Sequence, residues 1–293
     1  MTNPSWCISI AVATRNPPDS LIRCLKSWRA QNLQPFEVVV SDDSHDSIRP
    51  EIKRIVRQFE ARWVAGARRG LYANRNHVAV NCRGTHVFSA DDDHEHPVDL
   101  LEKCQAALQE DPNSAWCLGE ILSWDEIAQG WGLPGELSMN GASRMPQDFS
   151  NTWAWSDGAT LCPRQAFDAG LRFYEAFRFG ASYLEFGCLL HAAGQRIRIL
   201  KGTGVIHHLN QVGRSFDIPL EERAASYFAI LMLARVYQPS LKNRFLLAIF
   251  CVKQAVRRPI TFLQAFPWAL REMGERTDWF RQWLEQNGTS FRR

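Results

Sequence analysis

The order of apolar segments between residues 7 and 89 constrains this chain more than any other feature. Cys7–Ala13 is a run of Ile, Val and Ala closed by Thr14-Arg15-Asn16-Pro17-Pro18, which reads as a buried strand stopped by a turn. Asp19-Ser20 caps a helix that reaches about Gln31, with Leu21, Leu25 and Trp28 at helical spacing. Phe36–Val40 is a second strand running into Ser41-Asp42-Asp43-Ser44, and Ile52, Ile55, Val56 and Phe59 mark the next helix. Gly70 to His77 opens a third helix, and Thr85–Ser89 is the strand after it. Such alternation builds a parallel sheet with helices on its faces. Ligands then sit beyond the C-terminal strand ends, where Thr14, Arg15, Asn16, Asp42 and the acids after Ser89 fall.

Those acids are Asp91-Asp92-Asp93, followed by His94-Glu95-His96. Adjacent carboxylates repel one another, so their natural use is to hold a hard divalent cation. Asp42 has a plainer reading as a helix N-cap.

Taken together, Thr14-Arg15-Asn16-Pro17, Val38 to Ser44, Gly70 to Asn76 and Ala90-Asp91-Asp92-Asp93 resemble the nucleotide-binding half of the family 2 glycosyltransferases, whose fold is called GT-A. The resemblance covers roughly residues 7–210. It implies an α/β fold: a Rossmann-like mixed, mainly parallel sheet with flanking helices, over 1–215, followed by a helical, basic C-terminal extension over 216–293. It also implies Thr14, Arg15 and Asn16 near the base of a nucleotide-sugar, Asp42 on base or ribose, and Arg75 close by, with UDP the favoured nucleotide. The family's DxD element maps onto Asp91, toward the ribose, and Asp93, on a Mn²⁺ or Mg²⁺ ion bridging the phosphates. Asp92 is grouped with the nucleotide-binding residues and orients the turn, while His94 and His96 are bystanders. A diphosphate leaves well once its charge is neutralised, which agrees with this metal.

Further along, Trp155 to Arg164 resembles the segment in which a glycine, here Gly158, lets the backbone approach the donor sugar. Trp124, Trp131, Trp153 and Trp155 offer indole faces for sugars or simply fill the core. The family's acidic helix start, anchored on Ala193-Gly194, falls on Ser182 to His191, with Tyr183 where the usual catalytic aspartate stands. Glu185 is the first candidate for the base that deprotonates the acceptor hydroxyl, and Asp157 the second. The plainer reading of Glu185 is a charge in the first turn. A histidine after a late strand completes the metal site in several GT-A enzymes. His207, sharing a face with Val205, fits, and His208 is the alternative. An imidazole ligand favours Mn²⁺.

These features predict a metal-dependent, inverting glycosyltransferase of hexosyltransferase type. Its acceptor is a hydroxyl on a glycan or lipid-linked glycan, as in polysaccharide biosynthesis. A nucleotide-sugar-binding protein without turnover is the alternative that the missing acid at Tyr183 raises. A metal hydrolase on Asp92, His94 and His96 leaves Thr14, Arg15, Asn16 and Asp42 without a task. No Gly-rich phosphate loop follows the first strand, which disfavours a nucleotidyltransferase. The net charge of +3 gives no reason to expect nucleic acid. Eight scattered cysteines without a Cys-x-x-Cys pair, and no secretory leader, point to reduced thiols in the cytoplasm. Residues 241–293 hold ten Lys/Arg against four Asp/Glu. The short apolar run Phe245–Val252, flanked by Lys242, Arg244, Lys253, Arg257 and Arg258, suits either peripheral contact with an anionic membrane or packing on the domain.

Overall fold

The computed structural model describes residues 6–16, 18–124, 127–208 and 219–288, and the side chains of 122–131 are outside the description. Pro17, the boundary expected at 215/216, and the indoles of Trp124 and Trp131 therefore lie outside the described residues.

The chain alternates as its apolar pattern requires: β1 (Ile8–Thr14), α1 (Pro18–Arg29), β2 (Glu37–Asp42), α2 (Arg49–Gln58), β3 (Arg62–Ala65), α3 (Leu71–Asn81) and β4 (His86–Asp91). The two-residue β5 (His94–Glu95), α4 (Leu100–Glu110), β6 (Ala115–Trp124) and β7 (Ile127–Gly132) follow. A small hairpin, β8 (Glu136–Leu137) and β9 (Ser143–Arg144), occupies the Gly- and Pro-rich stretch. Then come β10 (Ala159–Pro163), α5 (Arg164–Asp168), α6 (Ser182–Ala192) and β11 (Ile197–His208). The sequence suggests two strands where β11 is one, with a register shift between Leu200 and Gly204 absorbing the glycines.

Among the described residues one nine-stranded sheet forms, ordered β3-β2-β1-β4-β10-β6-β11-β5, with β7 on β6. β1–β4, β6 and β11 share one direction, and β5, β7 and β10 oppose it. β1 is buried along its whole length, as a strand covered by helices on both faces must be. One face packs Leu21, Trp28, Ile52, Ile55, Leu101 and Leu108.

Three helices complete the chain: α7 (Pro219–Met232), running into a π-helical turn (Leu233–Tyr237), α8 (Leu241–Arg257) and α9 (Pro259–Asn287). They share the core of the sheet domain. Phe280 and Trp283 of α9 pack in one cluster with Leu171, Phe173, Phe186 and Leu189. The packing reading of the basic tail is therefore met by this side of α9. No helix among the described residues is long and apolar enough to cross a membrane. None of the eight cysteines is in a disulfide, and six are buried.

Candidate active site

The strand ends of β1, β2 and β4 lie side by side, with Ala13 opposite Ser41 and Asp91. Helix α3 supplies the organiser. Arg75 is 2% exposed, and its Nη2 donates to Asp91 Oδ2 at 2.8 Å while Nη1 donates to Ser89 Oγ at 3.0 Å. Its Nε lies 3.0 Å from Asp157 Oδ1, so one guanidinium holds both carboxylates. Expected beside the nucleotide, Arg75 places its guanidinium against Ser89, Asp91 and Asp157 of the protein itself. Burial pushes the Asp157 carboxyl well above the usual range; Arg75 opposes this, and Asp91 and Glu120 reinforce it.

The next cluster depends on β5, too short to be visible as a strand in the sequence. Its antiparallel pairing with β11 sets His94 directly opposite His207. Ligand atoms of Asp93, His94 and His207 lie within 4.8 Å of one another. His207 Nε2 is 3.3 Å from Asp93 Oδ2 and its Nδ1 is 3.2 Å from Glu120 Oε2. Burial opposes its charge, but the two carboxylates raise its pKa to about 10. Glu120 also accepts a hydrogen bond from Ser156 Oγ at 3.1 Å. His208 turns instead to Glu95, at 2.8 Å.

His94 corrects the expectation that it is a bystander. Its ring is fully buried, and Nδ1 lies 3.1 Å from the carbonyl oxygen of Gly158, to which it donates. Nε2 is thereby turned toward the acids. Among the described residues it has no hydrogen-bond partner, and it lies 3.8 Å from Asp93 Oδ1 and 3.9 Å from Asp91 Oδ2. A buried imidazole nitrogen facing carboxylates fits a divalent cation, and two imidazoles with carboxylate suit Mn²⁺ better than Mg²⁺. His96 is a core residue, stacked on Trp28 at 3.8 Å with Nδ1 2.8 Å from Ser27 Oγ.

Gly158 holds this cluster together. Its φ is +79°, and a Cβ there would stand 2.4 Å from Asp91 Oδ2 and 2.9 Å from His94 Cε1. A side chain at this position would therefore collide with Asp91 and His94.

At the other end, Asp42 is fully buried, accepting from the Ser44 amide at 2.8 Å and from Trp63 Nε1 at 3.1 Å. Asn16, at φ +68°, accepts from the His45 amide at 2.9 Å and donates its own amide to Ser44 Oγ. Thr14 is buried and its Oγ1 has no hydrogen-bond partner among the described residues. The Arg15 amide donates to Asp92 Oδ2 at 3.3 Å, tying β1 to the acidic turn. Burial, with Asp93 beside it, pushes the Asp92 carboxyl up to about 8. Asp92 thus ties the turn to β1, and the Arg15 side chain stays exposed.

Glu185 does not face this crevice, contrary to the expectation that it is the base. It is fully buried; Arg276 Nε donates to Oε1 at 3.0 Å, Nη2 donates to Oε2 at 3.2 Å, and the Tyr237 hydroxyl donates to Oε1. Helix geometry explains this, since residues two apart point nearly opposite ways. Tyr183 takes the crevice side, where burial and the nearby Asp157 and Glu120 push its hydroxyl up to about 12. Trp155 is buried against Phe186 and Phe173, so it is core and no sugar platform. Trp153 is half-buried, with Nε1 donating to the Leu137 carbonyl.

Sequence reasoning missed Glu120, Arg276 and Tyr237. Glu120 had a visible signal, a single acid inside the apolar run Trp116 to Leu122. The other two had none, because their partner is 52 to 91 positions away.

The fold matches solved structures at low identity. S. aureus TarS 1-349 superposes with a TM-score of 0.60 at 17% identity, covering 94% of this chain and 83% of that one. The same fragment in complex with UDP-GlcNAc gives 0.61 at 18%, covering 94% and 81%. GalNAc-T7 with UDP, GalNAc and Mn²⁺ gives 0.68 at 15%, covering 97% of this chain and 58% of that one. No curated protein sequence matches significantly. Residues 9–170 match the family described as glycosyl transferase family 2, over more than half of the chain. With its GT-A fold, this chain belongs to glycosyl transferase family 2 and is a glycosyltransferase.

Proposed function

We propose that the protein is a divalent-metal-dependent, inverting transferase that moves a sugar from UDP to a hydroxyl of a glycan or lipid-linked glycan. The observation that carries this reading is the convergence of Asp93, His94 and His207 within 4.8 Å, beside the Asp91–Arg75–Asp157 array. Asp93, His94 and His207 would hold Mn²⁺ or Mg²⁺, with Glu120 orienting His207 through Nδ1. When bound, the ion neutralises charge on the departing diphosphate. Thr14, Arg15, Asn16 and Asp42 form the nucleoside end, and Asp91 reaches the ribose. The UDP and UDP-GlcNAc in the TarS and GalNAc-T7 structures support a uridine donor.

Asp157 is the proposed base. Its side chain is 21% exposed at the crevice, and its raised pKa suits a group that takes a proton at neutral pH. The acceptor oxygen bonds to the anomeric carbon as its proton passes to Asp157. The bond from that carbon to the diphosphate oxygen breaks, with its electron pair leaving on UDP.

The test is a melting-temperature screen of UDP-sugars with and without Mn²⁺, joined to product analysis. Stabilisation that needs both ligands, and an inverted anomer in the product, are expected. The sequestration of Glu185 favours one rival reading, a binder without turnover. Donor binding with no transfer to any glycan acceptor would establish it.

A further inference from the structure

Helix α8 presents an apolar face to solvent, opposite the side it buries. Leu247 and Phe250 pack inward, in a cluster with Leu137 and Ile230. Leu241, Phe245, Ile249, Val252 and Val256 recur at intervals of three and four residues, which stacks them in one stripe on the other side. Phe245, Val252 and Val256 are 66%, 65% and 76% exposed, where a solvated helix carries polar side chains. Ile260 and Leu263, near the start of α9, are exposed apolar residues as well.

Charge says what covers it. Lys242, Arg244, Lys253, Arg257 and Arg258 border the stripe, and all five are exposed. From Arg223 to Arg271 the sequence contains no Asp or Glu at all. A second copy of the chain would bury the stripe but would bring these basic borders against their own likeness. An anionic bilayer accommodates both features, taking apolar side chains to acyl depth and pairing the cations with headgroups.

We propose that α8 and the start of α9 form an interfacial anchor that docks the protein on an anionic lipid surface. The anchor lies in the plane of the interface and does not span it. It is independent of the metal and base assignments, and its failure would leave them untouched.

The test uses the full chain and sedimentation with vesicles. Binding is expected to vesicles of phosphatidylglycerol with phosphatidylcholine and not to phosphatidylcholine alone, falling about tenfold or more in high salt. Phe245→Glu with Val252→Glu abolishes binding, while Lys253→Glu with Arg257→Glu weakens it. Because all four side chains are exposed, circular dichroism and the donor-induced melting shift stay as in the wild type. Failure to bind phosphatidylglycerol vesicles overturns the proposal, as does undiminished binding by either variant. A dimer in sedimentation equilibrium that Phe245→Glu with Val252→Glu disperses also overturns it, since the stripe then belongs to an interface between copies.

Discussion

Arg75 and Arg276 are both buried and both grip carboxylates, yet one sits in a site and the other in a staple. Around Arg276 the charges balance: one guanidinium, one carboxylate in Glu185, the Tyr237 hydroxyl, and the ring of Trp279 at 4.5 Å. Nothing further is needed there. Around Arg75 acids are in excess, with Asp91 and Asp157 in direct contact and Asp93 and Glu120 beyond them, set against His207. A cluster with surplus acids and a buried imidazole nitrogen without a hydrogen-bond partner among the described residues has room to accept a cation, as proposed above. The residual charge, more than burial or the presence of an arginine, separates the two roles.

The largest effect expected from this contrast is on the chemistry of the incomplete cluster. Asp157→Asn should lower kcat about 10²- to 10⁴-fold with UDP affinity retained, measured by initial rates and calorimetry. A variant within threefold of wild type (about 0.7 kcal/mol in barrier) would break the assignment. Arg276→Ala should instead cost stability, about 3–5 kcal/mol in denaturant unfolding, by leaving Glu185 buried without its partner. Glu185→Leu with Arg276→Met should recover most of that loss, since an apolar pair of similar volume has no charge to desolvate. UDP binding by the folded double variant should match the wild type.

Two smaller effects sharpen the comparison. Without metal, His207 is protonated at neutral pH because Asp93 and Glu120 hold its pKa at about 10. To ligate through Nε2 it must release that proton, so Mn²⁺ affinity should rise with pH from 6 to 9. Calorimetry in buffers of different ionisation heat should count about one proton released near pH 7. Mn²⁺ binding with no proton release would remove His207 from the ligand set. A control comes from Glu37, whose carboxyl is depressed: burial opposes, but the Arg83 amide, Arg62 and Ser9 hydrogen-bond it. Its folded pKa lies below its ordinary 4.5, so its stabilisation is full above that value and fades as pH falls through the folded pKa. Glu37→Gln should flatten acid unfolding below pH 5 by about 1 kcal/mol and leave transfer unchanged.

The strand and helix alternation, the crevice at the strand ends, and the acidic run Asp91-Asp92-Asp93 are legible in the residues. All rest on local patterns: period two or 3.6, turn chemistry, and like charges side by side. Glu185 was read as a base because its sequence neighbourhood resembles an acidic helix start. Nothing local to it reveals Arg276 on α9, 91 positions on. The resemblance passes over His94 in favour of the later His207; β5 is too short to show a period, and only its pairing with β11 brings His94 to His207.

By itself, then, the sequence determined the order of elements and the acidic run Asp91-Asp92-Asp93, because each follows from residues close together in the chain, whereas His207, 114 positions from Asp93, came in through the family resemblance. Tertiary structure alone decided which carboxylate stays at the crevice and which is enclosed away from it. That choice depends on the direction each side chain leaves its helix and on which distant arginine reaches it first. It turned α6 so that Tyr183 meets the crevice and Glu185 meets α9, and it set Asp157 beside Arg75 at the crevice.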